Sequence, residues 1–332
     1  MKKYLFILMF MAFYTLKAQV NLNNISMWNS SSVKFADSAY TLNATPEFTD
    51  LEKKFTHGNL RIYMLSANNI YANANRSIGN YTSLQEAIKG KKIKISELNG
   101  GTVNTLVVEN ISKDTIMILA GEIVTGGKQD RVIGQDLILA PGSGKIQASV
   151  FCVEHGRWTP KSTGHRFEGH YGVTNGSVRK QAIVSKNQGE VWNKVADMNA
   201  KNSTQTSTGT YAALQNSDTL KTELPRYISR FEKLMLADSN YIGFVAVTGD
   251  TIISADLFAT NQMFRKQALQ LLKSAAVEAI TNGTVVAIAA AKVMDFLNEF
   301  LKDENGQEEK VNENGVMLKN GSKKIHLNYY KK

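Results

Sequence analysis

Two short stretches concentrate the side chains that could perform or support chemistry. The first, GEIVTGGKQDRVI, carries the acid Glu122 at the end of an alternating apolar segment and the cations Lys128 and Arg131 after a Gly-Gly pair. Glycines permit a tight turn whose backbone N–H groups face an anion, and a lysine or arginine beside such a turn adds positive charge. The turn is not a Walker loop, because the glycine spacing of that motif is missing. From the Gly-Gly pair and the cations beside it, we predict a turn that binds a ligand through Lys128, Gln129 and Arg131.

The second stretch, FCVEHGRW, contains the only cysteine of the chain, Cys152, two residues before Glu154. On a strand these two side chains share a face and His155 points away, which weakens a dyad built from Cys152 and its neighbour. A nucleophilic Cys152 would need a nearby cation that lowers its pKa. The competing interpretation is a small buried core residue, because free cysteine is among the most buried residue types.

Three interpretations of the charges in these stretches stay open. In the first, Arg157 helps to hold an anionic or sugar-like ligand, Trp158 stacks on it, and Glu122 or Glu154 acts as general acid or base. In the second, the charges form a buried salt-bridge network, since an unpaired buried ion costs several kcal/mol. In the third, they form a surface for a partner protein. The candidate catalytic residues are Glu122, Glu154 and Cys152, and the candidate ligand-binding residues are Lys128, Gln129, Arg131, Arg157 and Trp158.

Metal and cofactor sites find little support in the sequence. His165, Glu168 and His170 lie in a glycine-rich loop, and the five-residue offset of the histidines is not a typical ligand spacing, so we predict no metal site. One cysteine excludes a disulfide framework and a cysteine-rich zinc site. The cofactor, if the protein uses one, stays unknown. His57 and His326 stand alone in the sequence and receive no predicted role.

Four stretches, GEIVTGGKQDRVI, FCVEHGRW, QGEVW and GDTIISADLF, resemble in order and spacing the ARG and Rhodanese-Phosphatase-superfamily-associated domain family, where ARG denotes ADP-ribosylglycohydrolase. The resemblance covers about residues 40 to 275. Because the family is named for genomic association with those enzymes, the resemblance implies no particular reaction. The matching positions are Glu122, Gly126, Gly127, Lys128, Gln129, Arg131, Cys152, Glu154, Gly156, Arg157, Trp158, Gln188 and Trp192.

The first 18 residues have the form of a secretory signal peptide. Lys2 and Lys3 precede an apolar run from residue 4 to 16, and the small Ala18 follows. The run is too short to span a bilayer comfortably, and no comparable stretch follows it. We therefore expect a secreted or periplasmic protein without an integral membrane span after signal cleavage.

The net charge of +10 does not indicate a nucleic-acid partner. Three of the lysines belong to the predicted signal peptide, and Lys323, Lys324, Lys331 and Lys332 are interpreted as a solvated tail. Basic residues interleaved with aromatics, which nucleic-acid binding would favour, are missing. The expected partner is a small molecule or an envelope protein of unknown identity.

The order of the predicted strands and helices that must position these residues indicates an α+β fold. Its first half is expected to resemble an antiparallel β-sandwich, and mixed helices and hairpins are expected to follow. Alternation predicts a hairpin from TVNTLVVEN and TIMILAGE, a strand over KIQASVFCVE and a hairpin at TGD. Caps predict helices after Ser83 and Ser185, and Pro225 is expected in a first helical turn. We predict a single domain over residues 19–300 with a lobe boundary near 175, and a C-terminal β-meander with a basic tail over 301–332.

The sequence thus predicts an exported soluble domain with a polar site that binds an anionic or sugar-like ligand and supports hydrolase-like chemistry. The alternative is a non-enzymatic structural or protein-interaction module of the cell envelope.

Overall fold

The computed structural model describes residues 28, 32–35, 53–160 and 164–332, and the predicted signal peptide over residues 1–18 lies outside them. This part of the chain has the mixed α+β fold that the sequence predicts. The strands are β1 (Val33–Phe35), β2 (Thr56–His57), β3 (Leu60–Ala67), β4 (Thr82–Ser83), β5 (Ile93–Thr102), β6 (Thr105–Asn110), β7 (Ile116–Ile118), β8 (Glu122–Gly126), β9 (Arg131–Ile133), β10 (Leu137–Leu139), β11 (Lys145–Cys152), β12 (Phe167–Val173), β13 (Tyr241–Thr248), β14 (Thr251–Phe258), β15 (Gly315–Asn320) and β16 (Lys323–Tyr329). The α-helices are α1 (Asn69–Asn75), α2 (Leu84–Lys89), α3 (Gly176–Lys180), α4 (Gln188–Lys201), α5 (Asp218–Met235), α6 (Asn261–Asn282), α7 (Ala290–Leu301) and α8 (Gln307–Asn314), with a π-helical turn over Gln181–Ser185 and a 3₁₀ helix over Tyr211–Asn216.

A seven-stranded sheet lies against the long helix α6. Its strands run in the order β1-β3-β13-β14-β16-β15, and β2 pairs with β3. The hairpin predicted at TGD is confirmed, because β13 and β14 pair across Gly249, whose φ of +51° suits glycine. Phe264, Leu271 and Leu272 of α6 are buried in the core beneath this sheet.

A six-stranded antiparallel sheet, in the order β12-β8-β9-β11-β6-β5, carries the candidate residues. It curls into a half-barrel, and an isolated bridge between Ser96 and Arg166 joins its two outer strands. The strand predicted over KIQASVFCVE is confirmed as β11, which ends at Cys152, two residues before the predicted end, and Ala148, Val150 and Cys152 share its buried face. The curl brings the turns that follow β5, β8 and β11 to one end of the sheet.

The hairpin predicted from TVNTLVVEN and TIMILAGE is wrong, because its two strands belong to different sheets. Strand β6 pairs with β5 and β11, whereas β7 pairs antiparallel with β10 and parallel with β4. The side-chain amide of Asn110 donates to the carbonyl oxygens of Asp114 and Leu139, at 2.7 and 2.9 Å, and fixes the crossing between the sheets. Alternation along a strand defines its buried face, but it does not define its partner.

Side-chain caps decide where the helices begin. Ser83 forms a capping box with Glu86 at the start of α2, as predicted. The cap of α4 is Asn187, two residues after the predicted Ser185, which instead ends the π-helical turn. The helix itself is confirmed, and it buries Val191, Val195 and Met198 at helical spacing.

The prediction for Pro225 is wrong. Helix α5 begins at Asp218, where the hydroxyl of Ser217 accepts the N–H of Leu220, so Pro225 lies inside the helix. Helices α6 and α7 are separated by residues 283–289, which are not helical.

The C-terminal segment differs from a three-stranded meander. Helix α8 occupies the place of the first expected strand, and β15 and β16 form a hairpin that completes the seven-stranded sheet. Lys323 and Lys324 donate to Ala74 O and to the Gln307 side chain, so only the last two lysines are exposed as a tail. Among the described residues, no helix combines the length and hydrophobicity needed to cross a membrane.

Candidate functional site

Most of the predicted site residues meet at one end of the half-barrel. The backbone N–H of Lys128 donates to Glu97 of β5, the side-chain amide of Gln129 donates to His155 O, and the backbone N–H of Asp130 donates to Glu154. These bonds join the β5–β6 hairpin, the β8–β9 turn and the segment that follows β11. The site brings together Lys128, Gln129, Arg131, Cys152, Glu154, Arg157 and Trp158, whereas Glu122 lies at the other end of β8.

The Gly-Gly turn has the geometry predicted for anion binding, with φ values of +139° at Gly126 and +45° at Gly127. Its N–H groups, however, bind oxygens of the protein itself. Gly126 donates to the Asp130 carboxylate at 3.0 Å, Gly127 to a backbone carbonyl at 3.0 Å, and Lys128 to the Glu97 carboxylate at 2.9 Å. The anion expected at this turn is therefore supplied by two internal carboxylates.

Arg157 is the centre of a paired network. Its guanidinium donates to the carbonyl oxygens of Gly126 and Gly127, at 3.2 and 2.6 Å, and to the carboxylates of Asp130 and Glu154, at 3.3 and 2.5 Å. The carboxylate side chains are almost completely buried. Because charge-assisted bonds of this kind are strong, Glu154 and Arg157 stabilise each other and the adjoining turns. This half of the site matches the buried salt-bridge interpretation.

Within the part of the chain that the structure describes, Arg131 has two buried donors without a hydrogen-bond partner, whereas Arg157 has one, its Nε. Its side chain is fully buried, and Nη1 donates to the backbone and side-chain oxygens of Gln129 at 2.9 and 3.3 Å. Nη2 lies 3.8 Å from Glu97 Oε1, beyond hydrogen-bonding distance. Among the described residues, neither Nε nor Nη2 of Arg131, nor Oε2 of Glu97, has a hydrogen-bond partner. Buried polar groups are normally satisfied, so these two donors and one acceptor require an explanation.

Trp158 covers this unsatisfied pair. The centre of its ring lies 5.7 Å from the Arg131 guanidinium carbon and 5.1 Å from Lys128 Nζ, and 44% of the residue is exposed. The indole therefore lies between bulk water and the polar groups beneath it.

Cys152 is fully buried beside Arg131 and Glu97. Burial raises the pKa of its thiol to about 11, the charge of Arg131 counteracts part of that rise, and the charge of Glu97 adds to it. A nucleophilic cysteine requires a lowered pKa. The structure thus favours the core interpretation of Cys152.

Glu122 is also fully buried, but it takes no part in the Arg157 network described above. Its carboxylate accepts the Leu119 N–H at 2.7 Å and bonds His170 Nε2 at 3.0 Å, which ties β8 to β12. His170, considered with His165 and Glu168 as a metal ligand, is thus engaged with Glu122. The described part of the chain contains no group of three potential ligands that could hold a metal ion.

Glu97 was missed by sequence reasoning, although it follows Ile95 on the buried face of β5. Glu122 was chosen because an acid there continues the apolar face of a strand. The same pattern is present at Glu97 and could have identified it. Gln188 holds the other side of the site, since its side chain accepts the Cys152 N–H at 2.8 Å and donates to the Cys152 carbonyl at 2.9 Å.

A family model, the ARG and Rhodanese-Phosphatase-superfamily-associated Protein domain, matches residues 49–326 of the chain. The protein belongs to this family. The matched region contains every candidate site residue and most of the core, and the family's description names no reaction. Neither the curated proteins nor the solved structures contain a match to the chain.

The last matched residue, His326, belongs to a second buried charge network within the family domain. Its Nδ1 lies 2.6 Å from the Asp136 carboxylate and its Nε2 lies 3.2 Å from the Asp256 carboxylate. Arg179 Nη1 approaches both oxygens of Asp256, at 2.9 and 3.0 Å, and Arg179 Nε donates to Ala120 O. The network joins β14 and β16 to α3 and to the β9–β10 loop. The interpretation of His326 as an isolated residue is therefore wrong.

The pKa values of His326 and Asp256 in this network shift in opposite directions. Burial alone would lower the pKa of His326, but its two carboxylate partners raise it above the usual 6.5. Burial alone would raise the pKa of Asp256, but Arg179 and His326 lower it below 3.8. Protonated His326 thus stabilises the fold fully below pH 6.5 and loses that effect as pH rises through its native pKa. Ionised Asp256 acts above pH 3.8 and loses its effect as pH falls through its native pKa.

Cys152 should be unreactive in the native protein. At pH 7.5 we expect iodoacetamide to label it at least tenfold more slowly than the same protein unfolded in guanidinium chloride, because burial hinders access and disfavours the thiolate. Mass spectrometry of timed samples measures the rate. Equal rates in the two states would contradict the core interpretation.

The substitution His326→Gln should destabilise the protein most at low pH. Between pH 6.5 and the native pKa, we expect the difference in unfolding free energy from the parent to shrink by about 1.4 kcal/mol per pH unit, because unfolding of the parent releases the His326 proton in that range. Urea unfolding at several pH values measures this. The exposed His165→Gln is the control and should show no such dependence, and a pH-independent effect of His326→Gln would show that the histidine is neutral.

Proposed function

We propose that this domain binds a small neutral, hydroxylated ligand such as a sugar ring beneath Trp158, and that it is not a hydrolase. The observation that carries the proposal is the pair of unused donors on Arg131 beside the unused acceptor on Glu97, under a partly exposed indole. A hydroxyl group both donates and accepts, so a hydroxylated ligand can satisfy both side chains at once.

The charge balance supports a neutral ligand over an anion. Three cations, Lys128, Arg131 and Arg157, are matched by three carboxylates at Glu97, Asp130 and Glu154. An incoming anion would meet the Glu97 carboxylate without an excess of positive charge. The carboxylates of Asp130 and Glu97 already accept N–H groups of the Gly-Gly turn, which also favours a neutral ligand over an anion.

Hydrolase chemistry would require a free acid or nucleophile next to the ligand. Glu154 is bonded by Arg157 and by the Asp130 N–H, and the pKa of Cys152 is raised by burial. Glu122 lies at the opposite end of β8 and bonds His170. None of the three candidate catalytic residues therefore provides a free acid or nucleophile next to the ligand.

Access to the site requires the indole to move. A cation–π contact at an exposed ring contributes about 0.5–1 kcal/mol, so displacing Trp158 from Lys128 and Arg131 costs on the order of 1–2 kcal/mol. A state at that free energy is populated at several per cent, which suffices for ligand entry.

The alternative function is a structural or protein-interaction module of the cell envelope, and the extensive pairing of the Arg157 terminal nitrogens with protein oxygens is the observation that favours it. For either function we propose that the protein is secreted or periplasmic, on the basis of the signal-like first 18 residues.

The ligand proposal is tested by titrating D-glucose, D-galactose and N-acetyl-D-glucosamine into the protein and following tryptophan fluorescence, with inorganic phosphate as the anionic comparison. We expect at least one sugar to bind, and Trp158→Ala and Glu97→Gln to weaken it at least tenfold. Trp192→Phe, which alters an indole packed on His155 outside the Arg131 site, is the matched control and should bind normally. Tighter binding of phosphate than of any sugar, or no sugar binding at millimolar concentration, would contradict the proposal.

Export is tested by the intact mass of the protein isolated from its native cells. We expect a chain that begins at Gln19, in the periplasmic or extracellular fraction. A chain that retains Met1 and fractionates with the cytosol would contradict export.

A further inference from the structure

A cavity lies away from Trp158, between β12, the 3₁₀ helix, α5 and α6. Its volume is about 370 Å³, which is at the lower end of the roughly 300–1,000 Å³ found for small-molecule sites. None of the residues that line it belongs to the Arg131 or Arg157 clusters. It is thus a separate potential site.

The walls of this cavity are mainly apolar. Leu214 and Leu220 are buried at its base, and Leu224, Ile228 and Val277 line its sides. Tyr171 and Tyr211 meet edge to face, with ring centres 5.8 Å apart, and form an aromatic wall. Such a lining favours a hydrocarbon body, since each buried methylene contributes about 0.8 kcal/mol.

One cation gives the cavity a polar end. Lys273 of α6 is half-buried, lines the cavity and has no hydrogen-bond or ion-pair partner among the residues that the structure describes. Lys221 also lines the cavity, but it bonds Asn216 O and lies 3.5 Å from Asp218. No aspartate or glutamate is among the described lining residues. The electrostatic preference is therefore for a ligand with one negative charge.

Tyr171 adds a neutral polar group to the wall. Burial raises the pKa of its hydroxyl to about 12, so the phenol carries no negative charge that would repel an anion at neutral pH. Gln270, also on α6, uses one of its two side-chain N–H donors to bond Gln85.

We propose that this cavity binds a small unbranched aliphatic monocarboxylate, with its hydrocarbon chain between the leucines and tyrosines and its carboxylate on the Lys273 ammonium group. The volume limits the ligand to a medium-length chain. Lys273 selects acid over alcohol, because a half-buried ion pair is less screened than one in bulk water.

The test is calorimetric titration of the purified protein with hexanoate, octanoate and 1-octanol. We expect octanoate to bind about 15-fold more tightly than hexanoate, since each of two methylenes contributes about fourfold. Lys273→Met should weaken octanoate about tenfold and leave 1-octanol unchanged, because only the acid uses the charge. Lys233→Met, an exposed lysine of α5 outside the cavity, is the matched control and should bind both ligands normally.

A second variant tests the location. Ile228→Trp places an indole on the half-exposed wall of the cavity and should abolish binding of both octanoate and 1-octanol, while circular dichroism confirms that the fold is retained. Absence of octanoate binding to the parent protein at 1 mM, equal loss of acid and alcohol in Lys273→Met, or normal binding by Ile228→Trp would each overturn the proposal. Acid and alcohol bound equally tightly by the parent would also overturn it and would favour an apolar side chain of a protein partner as the occupant.

Discussion

A carboxylate withdrawn from water must receive hydrogen-bond donors from the protein, because an unpaired buried ion costs several kcal/mol. This constraint shapes much of the domain. Glu122 is held by His170 across two strands, and Asp256 is held by Arg179 from a helix. Glu154 is held by Arg157 within its own segment and by the N–H of Asp130 from the β8–β9 turn. Apart from the local Glu154–Arg157 bond, these contacts join elements that are distant in the sequence, so the acids help to fix how the sheets and helices fit together.

The same constraint separates the candidate site into two halves. Around Arg157 most donors and acceptors are paired, with only Nε of Arg157 left without a hydrogen-bond partner among the described residues, and the residues there act on the structure of the turns. Around Arg131 and Glu97 they are not matched, although both side chains are buried. The residues with the most reactive chemical types, Cys152 and Glu154, lie in satisfied or shielded surroundings. The proposed ligand site thus depends on a neighbouring pair, Arg131 and Glu97, that the motifs identify only in part.

The sequence predicts local features well and long-range pairing poorly. The Ser83 cap, the strand that ends at Cys152 and the turn at Gly249 depend on neighbouring residues, and the structure confirms them. The partners of His326 lie 70 and 190 positions away, and alternation within its strand contains no information about them. The failed hairpin after Asn110 has the same origin, because a turn sequence does not show whether the next strand remains in the same sheet.

Gln188 couples helix α4 to the backbone of the half-barrel. Along one edge of β11, the N–H of Val150 bonds Asn104 O, and two residues further on the N–H and carbonyl of Cys152 bond the Gln188 side chain. The amide group thus imitates the next residue of a neighbouring strand. Buried backbone groups must be hydrogen-bonded, so displacement of α4 would leave the N–H and the carbonyl of Cys152 without a partner, and this one side chain holds the helix on the half-barrel.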